Sequence, residues 1–260
     1  RAFVVDSGIL DVNTQSWTSA GVSSAGGAGV MYRPGKIMVT GGTHNSDPVV
    51  PATAVIDLNA VAPAWRATQP MAFGRSQHNL VILPDGKVLV VGGSTEVSLI
   101  STSGVLPVEM WDPSSETWTT LASLATPRMY HSTALLLPDG RVLSAGGGRL
   151  APAIDHLNGE IYSPPYLFNG PRPVISGAPS SLTYGASFVV DTPNPSAIAR
   201  VTLIRTSSVT HGLNYDQRFV ELSFVPGATQ LTVQAPPDGV IAPAGHYMLF
   251  VLDANGVPSV

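Results

Sequence analysis

Short apolar runs, separated by turns that contain glycine or proline, extend along most of the chain. Three segments align by eye: residues 28–42, 79–93 and 133–147. Each has an apolar run, a Pro-Gly or Pro-Asp-Gly turn, and a second apolar run that ends in two glycines. Short strands joined by tight turns are typical of antiparallel hairpins, so the pattern predicts an all-β fold.

The three segments also recur at a regular distance. Their glycine pairs begin at Gly41, Gly92 and Gly146, a period of about 50 residues. Further apolar pieces lead to Trp65 and Trp118 after the first two segments. This period and pattern predict kelch repeats, each forming one four-stranded blade of a β-propeller. The glycines would let backbones approach closely, and the tryptophans would fill space between blades.

The first residues resemble the end of such a repeat. Residues 9–17 match residues 110–118, including the distance from aspartate to tryptophan. We therefore expect residues 1–170 to form a partial kelch propeller of about three to four blades. Propellers typically close with about 4–8 blades, so we expect a piece of a larger protein whose upstream blades are missing. The alternative is a closed four-bladed propeller.

The pattern changes after the stiff Pro171-Arg172-Pro173 segment. Five short strand-like runs follow, at residues 187–190, 201–205, 219–224, 230–234 and 247–253. Strands at this spacing, with proline- and glycine-rich turns, predict a small immunoglobulin-like β-sandwich over residues 171–260. No helix is predicted in either region.

Composition excludes several classes of function. Hydrophobic residues make up 44% of the chain and charged residues 12%, which suits a packed core. A net charge of −4 without a basic cluster argues against nucleic-acid binding. No apolar run reaches the roughly 18 residues that span a membrane, and the first residues do not resemble a signal peptide. The chain has no cysteine, so disulfides cannot indicate its compartment.

Three side chains are candidates for a metal site. Tyr130 and His131 are adjacent, just before an apolar run, and His211 lies far along the chain. Two imidazoles and a phenol suit copper, because imidazole binds Cu(II) well and copper binds most tightly among first-row divalent ions. Consecutive strand residues face opposite sides, so the first two could share a metal only where a strand starts or bends. The alternative for His131 is a hydrogen-bonded histidine at a blade edge.

Four motifs together carry a resemblance to a known family. They are residues 128–141, 162–168, 210–218 and 245–251. These segments resemble the copper radical oxidases of the galactose oxidase/glyoxal oxidase family, and the resemblance covers essentially the whole chain. It implies a kelch domain followed by an early-set immunoglobulin-like domain, and secretion. It also implies that Tyr130 is the axial copper ligand and His131 an equatorial one. His211 would be a ligand on a hairpin inserted along the propeller axis.

The resemblance implies an activity as well. Family members oxidise a primary alcohol or aldehyde with O₂ and release H₂O₂, and Tyr130 would also take the substrate hydroxyl proton. Their second oxidant is a tyrosyl radical on a ring cross-linked to cysteine. This chain has no cysteine, so the Cys-Tyr cofactor is expected in the upstream part of the parent protein, and whether the chain itself is an enzyme stays open. The alternative is a non-catalytic kelch/sandwich module that binds a glycan or a protein.

Other residues near these motifs have simpler predicted roles. His78 lies at nearly the same blade position as His131 but lacks a preceding tyrosine, so we expect a structural role. We expect Tyr32 to pack in a blade core. Gln217 and Arg218 would anchor the hairpin that carries His211. Tyr215 is expected either at the mouth of the pocket or on the surface. The serine- and aliphatic-rich residues 94–107 do not identify a substrate.

Overall fold

A computed structural model of the protein describes residues 2–4, 8–11, 14–18, 27–43, 48–149, 151–214 and 216–260. These residues form 22 strands in six sheets, and helical geometry is limited to two short 3₁₀ turns, Pro165–Phe168 and Pro195–Ala197. No helix in this part of the chain is long and apolar enough to span a membrane. The prediction of an all-β chain is therefore confirmed.

Fourteen strands precede the proline-rich segment. They are β1 (Ala2–Val4), β2 (Gly8–Asp11), β3 (Ser16–Thr18), β4 (Ala28–Arg33), β5 (Lys36–Thr40), β6 (Thr53–Asp57), β7 (Arg66–Ala67), β8 (Asn79–Ile82), β9 (Val88–Val91), β10 (Pro107–Asp112), β11 (Thr117–Ser123), β12 (Ser132–Leu136), β13 (Val142–Gly146) and β14 (Gly159–Tyr162). Strands β4–β7 and β8–β11 form four-stranded antiparallel blades, and β1–β3 and β12–β14 form three-stranded ones. In the first sheet Leu10 pairs with Trp17, as Trp111 pairs with Trp118, which agrees with the aligned repeats.

The glycine pairs lie where neighbouring blades meet. Gly92 and Gly93 have left-handed φ values of 69° and 93°. A Cβ on Gly92 would collide with the carbonyl oxygen of Arg128, and the same oxygen accepts a hydrogen bond from the Gly93 N–H at 2.6 Å. Glycine is therefore required here for both backbone conformation and close approach. The predicted role of these glycines is confirmed.

Aromatic side chains fill the space within and between blades. Trp118 in β11 donates a hydrogen bond from Nε1 to Thr53 Oγ1 in the preceding blade, at 3.1 Å. Trp111 is fully buried, and Tyr32 meets it edge to face with ring centroids 5.0 Å apart. Tyr32 is thus a core residue, as its sequence position predicts. These contacts join the β4–β7 and β8–β11 blades within one hydrophobic core.

Eight strands follow the proline-rich segment. They are β15 (Ser187–Asp191), β16 (Ile198–Arg205), β17 (Val209–Thr210), β18 (Leu213–Asn214), β19 (Phe219–Leu222), β20 (Phe224–Pro226), β21 (Gln230–Gln234) and β22 (Tyr247–Asp253). Six of them form two three-stranded sheets, β15-β21-β20 and β19-β16-β22, around a separate apolar core. The predicted β-sandwich is confirmed. The predicted strand at 219–224 is instead two strands, because the chain passes from one sheet to the other at Ser223.

The remaining two strands leave the sandwich. Strands β17 and β18 form a hairpin that joins the β4–β7 blade, giving a six-stranded sheet in the order β17-β18-β4-β5-β6-β7. The contact between the two units is parallel, with Leu213 beside Gly29 and Asn214 beside Val30. We call residues 209–214 the inserted hairpin. It brings a loop of the C-terminal region to the free edge of β4.

Candidate functional site

The candidate ligands lie in two tight turns. Tyr130 and His131 form the turn immediately before β12, and His211 is in the two-residue loop of the inserted hairpin. The backbone is left-handed at both histidines, with φ 64° at His131 and φ 52° at His211. Such values are uncommon for residues other than glycine. Because the backbone bends here, Tyr130 and His131 need not point to opposite sides, as consecutive residues of a strand do. The sequence predicts such a bend at this turn.

The structure brings the three side chains together although 81 positions separate the two turns. The phenol oxygen of Tyr130 lies 3.5 Å from Nε2 of His211. The ring of His131 stacks on Tyr130 with centroids 3.9 Å apart and an interplanar angle of 30°. The two imidazole centroids are 6.2 Å apart. Tyr130 is partly buried and both histidines are exposed, so the cluster is open to solvent.

The donor atoms suit a metal ion. A metal bonds to a ring nitrogen at about 2 Å, so two donors that share one ion lie about 3–4 Å apart. The distance between the Tyr130 phenol and His211 Nε2 falls in this range. Among the residues that the structure describes, no three His, Cys, Asp or Glu side chains cluster as a metal site. The candidate centre therefore depends on the phenol as its third donor, a set suited to copper.

Two neighbours of these rings have no signal in the sequence. Thr210 places its hydroxyl oxygen 2.7 Å from Nδ1 of His211, on the side of the ring away from Tyr130. Arg149 places its guanidinium carbon 5.9 Å from the Tyr130 ring centroid. Only the folded geometry reveals either contact.

Side-chain amides fix the base of the inserted hairpin. Gln217 is fully buried; its Nε2 donates to the Ile82 carbonyl at 2.9 Å, and its Oε1 accepts from the Ile82 N–H at 2.8 Å. Asn214 donates to the Leu80 carbonyl at 3.2 Å and to Gln217 Oε1 at 2.9 Å. Both thus pair with backbone groups of β8. These contacts agree with the anchoring role expected for Gln217.

The loop of the inserted hairpin contacts the chain just before β8. Gly212 has φ 77°, and a Cβ at this position would lie 2.7 Å from the carbonyl oxygen of His78. Positive φ at His211 and Gly212 together is the pattern of a type I′ hairpin turn, in which glycine is favoured. The tip that carries His211 is therefore held against the propeller by a contact that no larger residue could make.

His78 lies beneath this tip and has a structural environment. It is fully buried, and its Nε2 is 2.7 Å from the Thr40 hydroxyl oxygen. Burial, and then the positive charge of Arg75, hold its pKa well below the ordinary value. The imidazole is therefore neutral at physiological pH, in keeping with the structural role predicted for it.

The alignment of blades agrees with the position expected for this residue, close to that of His131 but not identical to it. When the two blades are aligned by their strand registers, His78 is equivalent to Ser132, which is one position after His131. The residue equivalent to His131 is Gln77, and it has the same left-handed backbone, with φ 58°. Tyr215 lies outside the described residues.

Two family models match most of the chain. A family model described as glyoxal oxidase N-terminus matches residues 43–152, and one described as galactose oxidase-like, early set domain matches residues 172–260. A fungal alcohol oxidase of the AA5 family, solved in complex with copper, superposes with a TM-score of 0.84 at 33% identity. The match covers 94% of this chain and 54% of that one. The chain belongs to the galactose oxidase/glyoxal oxidase family.

Two curated relatives show how much of a family member is present. Galactose oxidase from Gibberella zeae is 33% identical over 251 residues, which cover 90% of this chain and 36% of the relative. Aldehyde oxidase GLOX from Vitis pseudoreticulata is 36% identical over 223 residues, which cover 76% of this chain and 42% of the relative. This galactose oxidase/glyoxal oxidase family member thus spans well under half the length of either relative.

Proposed function

We propose that the protein containing this chain is a copper radical oxidase that oxidises a primary alcohol or aldehyde with O₂ and releases H₂O₂. Tyr130, His131 and His211 are the copper ligands that this chain contributes. The observation that carries the proposal is the 3.5 Å approach of the Tyr130 phenol to His211 Nε2, with the His131 ring stacked beside them. Residues 1–170 supply one turn of this site, and residues 171–260 supply the other.

The overall reaction is balanced. A primary alcohol loses two electrons and two protons to become an aldehyde, and dioxygen takes up both to become hydrogen peroxide. An aldehyde reacts in the same way through its hydrate and yields an acid. Copper, when bound, supplies a one-electron oxidant and a Lewis acid next to the substrate oxygen.

The residues of this chain have distinct tasks. His131 and His211 bind through imidazole nitrogens and hold the centre at the tips of two turns. Tyr130 is the general base: its phenolate oxygen takes the proton of the substrate hydroxyl as the C–H bond is broken. The partly buried position of the ring and the open cluster allow a small substrate to reach that oxygen.

The second one-electron oxidant has to come from outside this chain. The family uses a tyrosyl radical cross-linked to cysteine, and the present sequence has no cysteine. We place the Cys-Tyr pair in the upstream blades of the parent protein. In keeping with the family, we propose that the parent is secreted. Its substrate is a small primary alcohol or aldehyde, the chemistry common to relatives named galactose oxidase, alcohol oxidase and aldehyde oxidase.

The test combines electron paramagnetic resonance of Cu(II) with a peroxide assay on the full-length protein. We expect a nitrogen-coordinated copper signal and peroxide from at least one simple alcohol or aldehyde. His211→Ala removes both, whereas His246→Ala, at another exposed histidine, leaves both unchanged. A folded protein that gives no copper signal and no peroxide would refute the proposal, and would leave a non-catalytic binding module.

A further inference from the structure

We propose that Thr210 is a positioning residue: its hydroxyl accepts a hydrogen bond from Nδ1–H of His211 and so presents the Nε2 lone pair to the metal. The inference rests on the proposed copper site. Thr210 Oγ1 lies 2.7 Å from His211 Nδ1, and the two residues are adjacent in the inserted hairpin. Histidine ligands commonly donate their second ring N–H to an acceptor, which fixes the tautomer and the orientation of the ring.

The direction of this hydrogen bond follows from the other side of the ring. A neutral imidazole has one N–H donor and one acceptor nitrogen, and a hydroxyl can complement either. The neighbour of Nε2 is the Tyr130 phenol, at 3.5 Å. In the proposed site Nε2 binds the metal through its lone pair, so the ring proton is on Nδ1. The Thr210 hydroxyl is then the acceptor for that proton.

His211 needs such a partner more than His131 does. The His131 ring lies flat against Tyr130, and this stacking sets its orientation. His211 is at the exposed tip of a two-residue hairpin loop, and its ring is tilted by 58° to Tyr130 at a centroid distance of 5.8 Å. A ring in that position can rotate and exchange its two nitrogens. The Thr210 hydroxyl selects one of the two orientations.

Two substitutions separate the hydroxyl from the shape of the side chain. Thr210→Val keeps the branched shape and removes the acceptor, whereas Thr210→Ser keeps the hydroxyl. Thr210 is exposed, so neither change removes packing from a core. Thr229→Val, at an exposed threonine beside β21, is the matched control.

The first readout needs no metal. Two-bond ¹H–¹⁵N correlation spectra of metal-free protein report which ring nitrogen of His211 carries the proton. We expect the proton on Nδ1 in wild type and Thr210→Ser, and a shift towards Nε2 in Thr210→Val. A wild-type ring protonated at Nε2, or a Thr210→Val spectrum identical to wild type, would overturn the proposal.

The second readout is Cu(II) affinity, measured by competition with a chelator. We expect Thr210→Val to bind copper about 10-fold or more weakly, the usual effect of losing such a partner, and Thr210→Ser to stay within about threefold of wild type. Equal losses in both variants would contradict a role for the hydroxyl. If wild type has its proton on Nδ1 but binds no copper, the proposed function fails while the orientation of His211 by Thr210 stands.

Discussion

The side-chain amide of Gln217 pairs with both backbone groups of Ile82, as a residue of a neighbouring β-strand would. The two residues are 135 positions apart in the chain. Ile82 ends β8, and its N–H and carbonyl would otherwise be buried without partners at this edge of the blade. One amide therefore closes the ladder of a propeller strand and fixes the hairpin that carries His211.

Replacing Gln217 should cost stability. Gln217→Ala leaves the Ile82 N–H and carbonyl buried without partners, so we expect the free energy of unfolding to fall by about 2–4 kcal/mol. Chemical denaturation measures the loss. Gln234→Ala is the control: Gln234 is exposed and donates to the Gly185 carbonyl at 2.8 Å, and its loss should cost less than about 1 kcal/mol. Similar losses at both sites would argue against the ladder role.

Gly212 and Gly256 can be compared to measure the effect of a steric clash, because an added Cβ would clash only at Gly212. Gly212 and Gly256 have nearly equal φ values, 77° and 76°, but a Cβ on Gly256 would meet no atom within 4 Å. Alanine at either site costs about 1–2 kcal/mol for the left-handed backbone. Gly212→Ala also has to displace the tip from the His78 carbonyl, so we expect a larger fall in the free energy of unfolding. Copper affinity should weaken in Gly212→Ala alone. Thermal unfolding and copper titration of the two variants decide this; equal effects would exclude the clash.

A buried ion pair in the β8–β11 blade should be sensitive to the loss of one partner. Arg75 and Glu109 are fully buried and 2.6 Å apart, and Glu109 also accepts the Ala72 N–H at 2.6 Å. Glu109→Gln leaves the guanidinium buried without its counter-charge, so we expect a loss of about 3–5 kcal/mol on denaturation. Glu116→Gln breaks an exposed pair with Arg66 and should cost less than about 1 kcal/mol. A small loss at Glu109 would mean that water or a backbone group replaces the carboxylate.

The buried His78 predicts a dependence of stability on pH. Its pKa is held well below about 6.5 in the folded state and returns to that value on unfolding. The unfolded chain therefore binds the extra proton first as the pH falls, so the stabilisation present above about pH 6.5 is lost on acidification. We expect the free energy of unfolding to fall between about pH 6.5 and 5, by up to about 1.4 kcal/mol per pH unit. His78→Gln should flatten this slope, and the same slope in both proteins would contradict the prediction.

Tyr130→Phe tests the proposed proton acceptor in the full-length protein. The variant keeps the ring that stacks on His131 and removes the oxygen. Loss of a general base typically costs about 10²–10⁴-fold in rate, so we expect kcat for peroxide formation to fall by that factor. The nitrogen signals of bound copper should persist. Tyr184→Phe, at an exposed tyrosine of the sandwich, should retain full activity. An active Tyr130→Phe enzyme would assign the base to another group.

Local sequence patterns predicted most of the fold. Turn residues and glycine pairs mark the hairpins because positive φ and close backbone approach exclude other residues there, as at Gly92. The division of residues 219–224 between two sheets could not be predicted in this way. Both halves are apolar, and the change of sheet at Ser223 depends on which partner strand each half meets. The periodicity of apolar residues predicts which face of a strand is buried, and it does not predict which strand is its partner.

The candidate site was predictable only in part. Adjacent Tyr130 and His131 stand out because the two residue types suit a metal and occur at a strand start. Their approach to His211 depends on a parallel pairing between β18 and β4, which no local pattern encodes. The contribution of Thr210 depends on one side-chain rotamer at the end of β17. Family resemblance supplied what local patterns lacked for His211, and it did not extend to the hydroxyl beside it.

The six-stranded sheet has a consequence for cooperativity. Its strands β17 and β18 come from the C-terminal region, and the other four from the propeller, so the two regions share one hydrogen-bonded ladder. Unfolding of the sandwich would remove the pairing of β18 with β4 and the hydrogen bonds of Gln217 to Ile82 in the same event. A cut at Pro171–Pro173 would sever the covalent link but leave that ladder intact. The two pieces are therefore expected to stay together as a heterodimer after nicking, and to unfold in a single calorimetric transition.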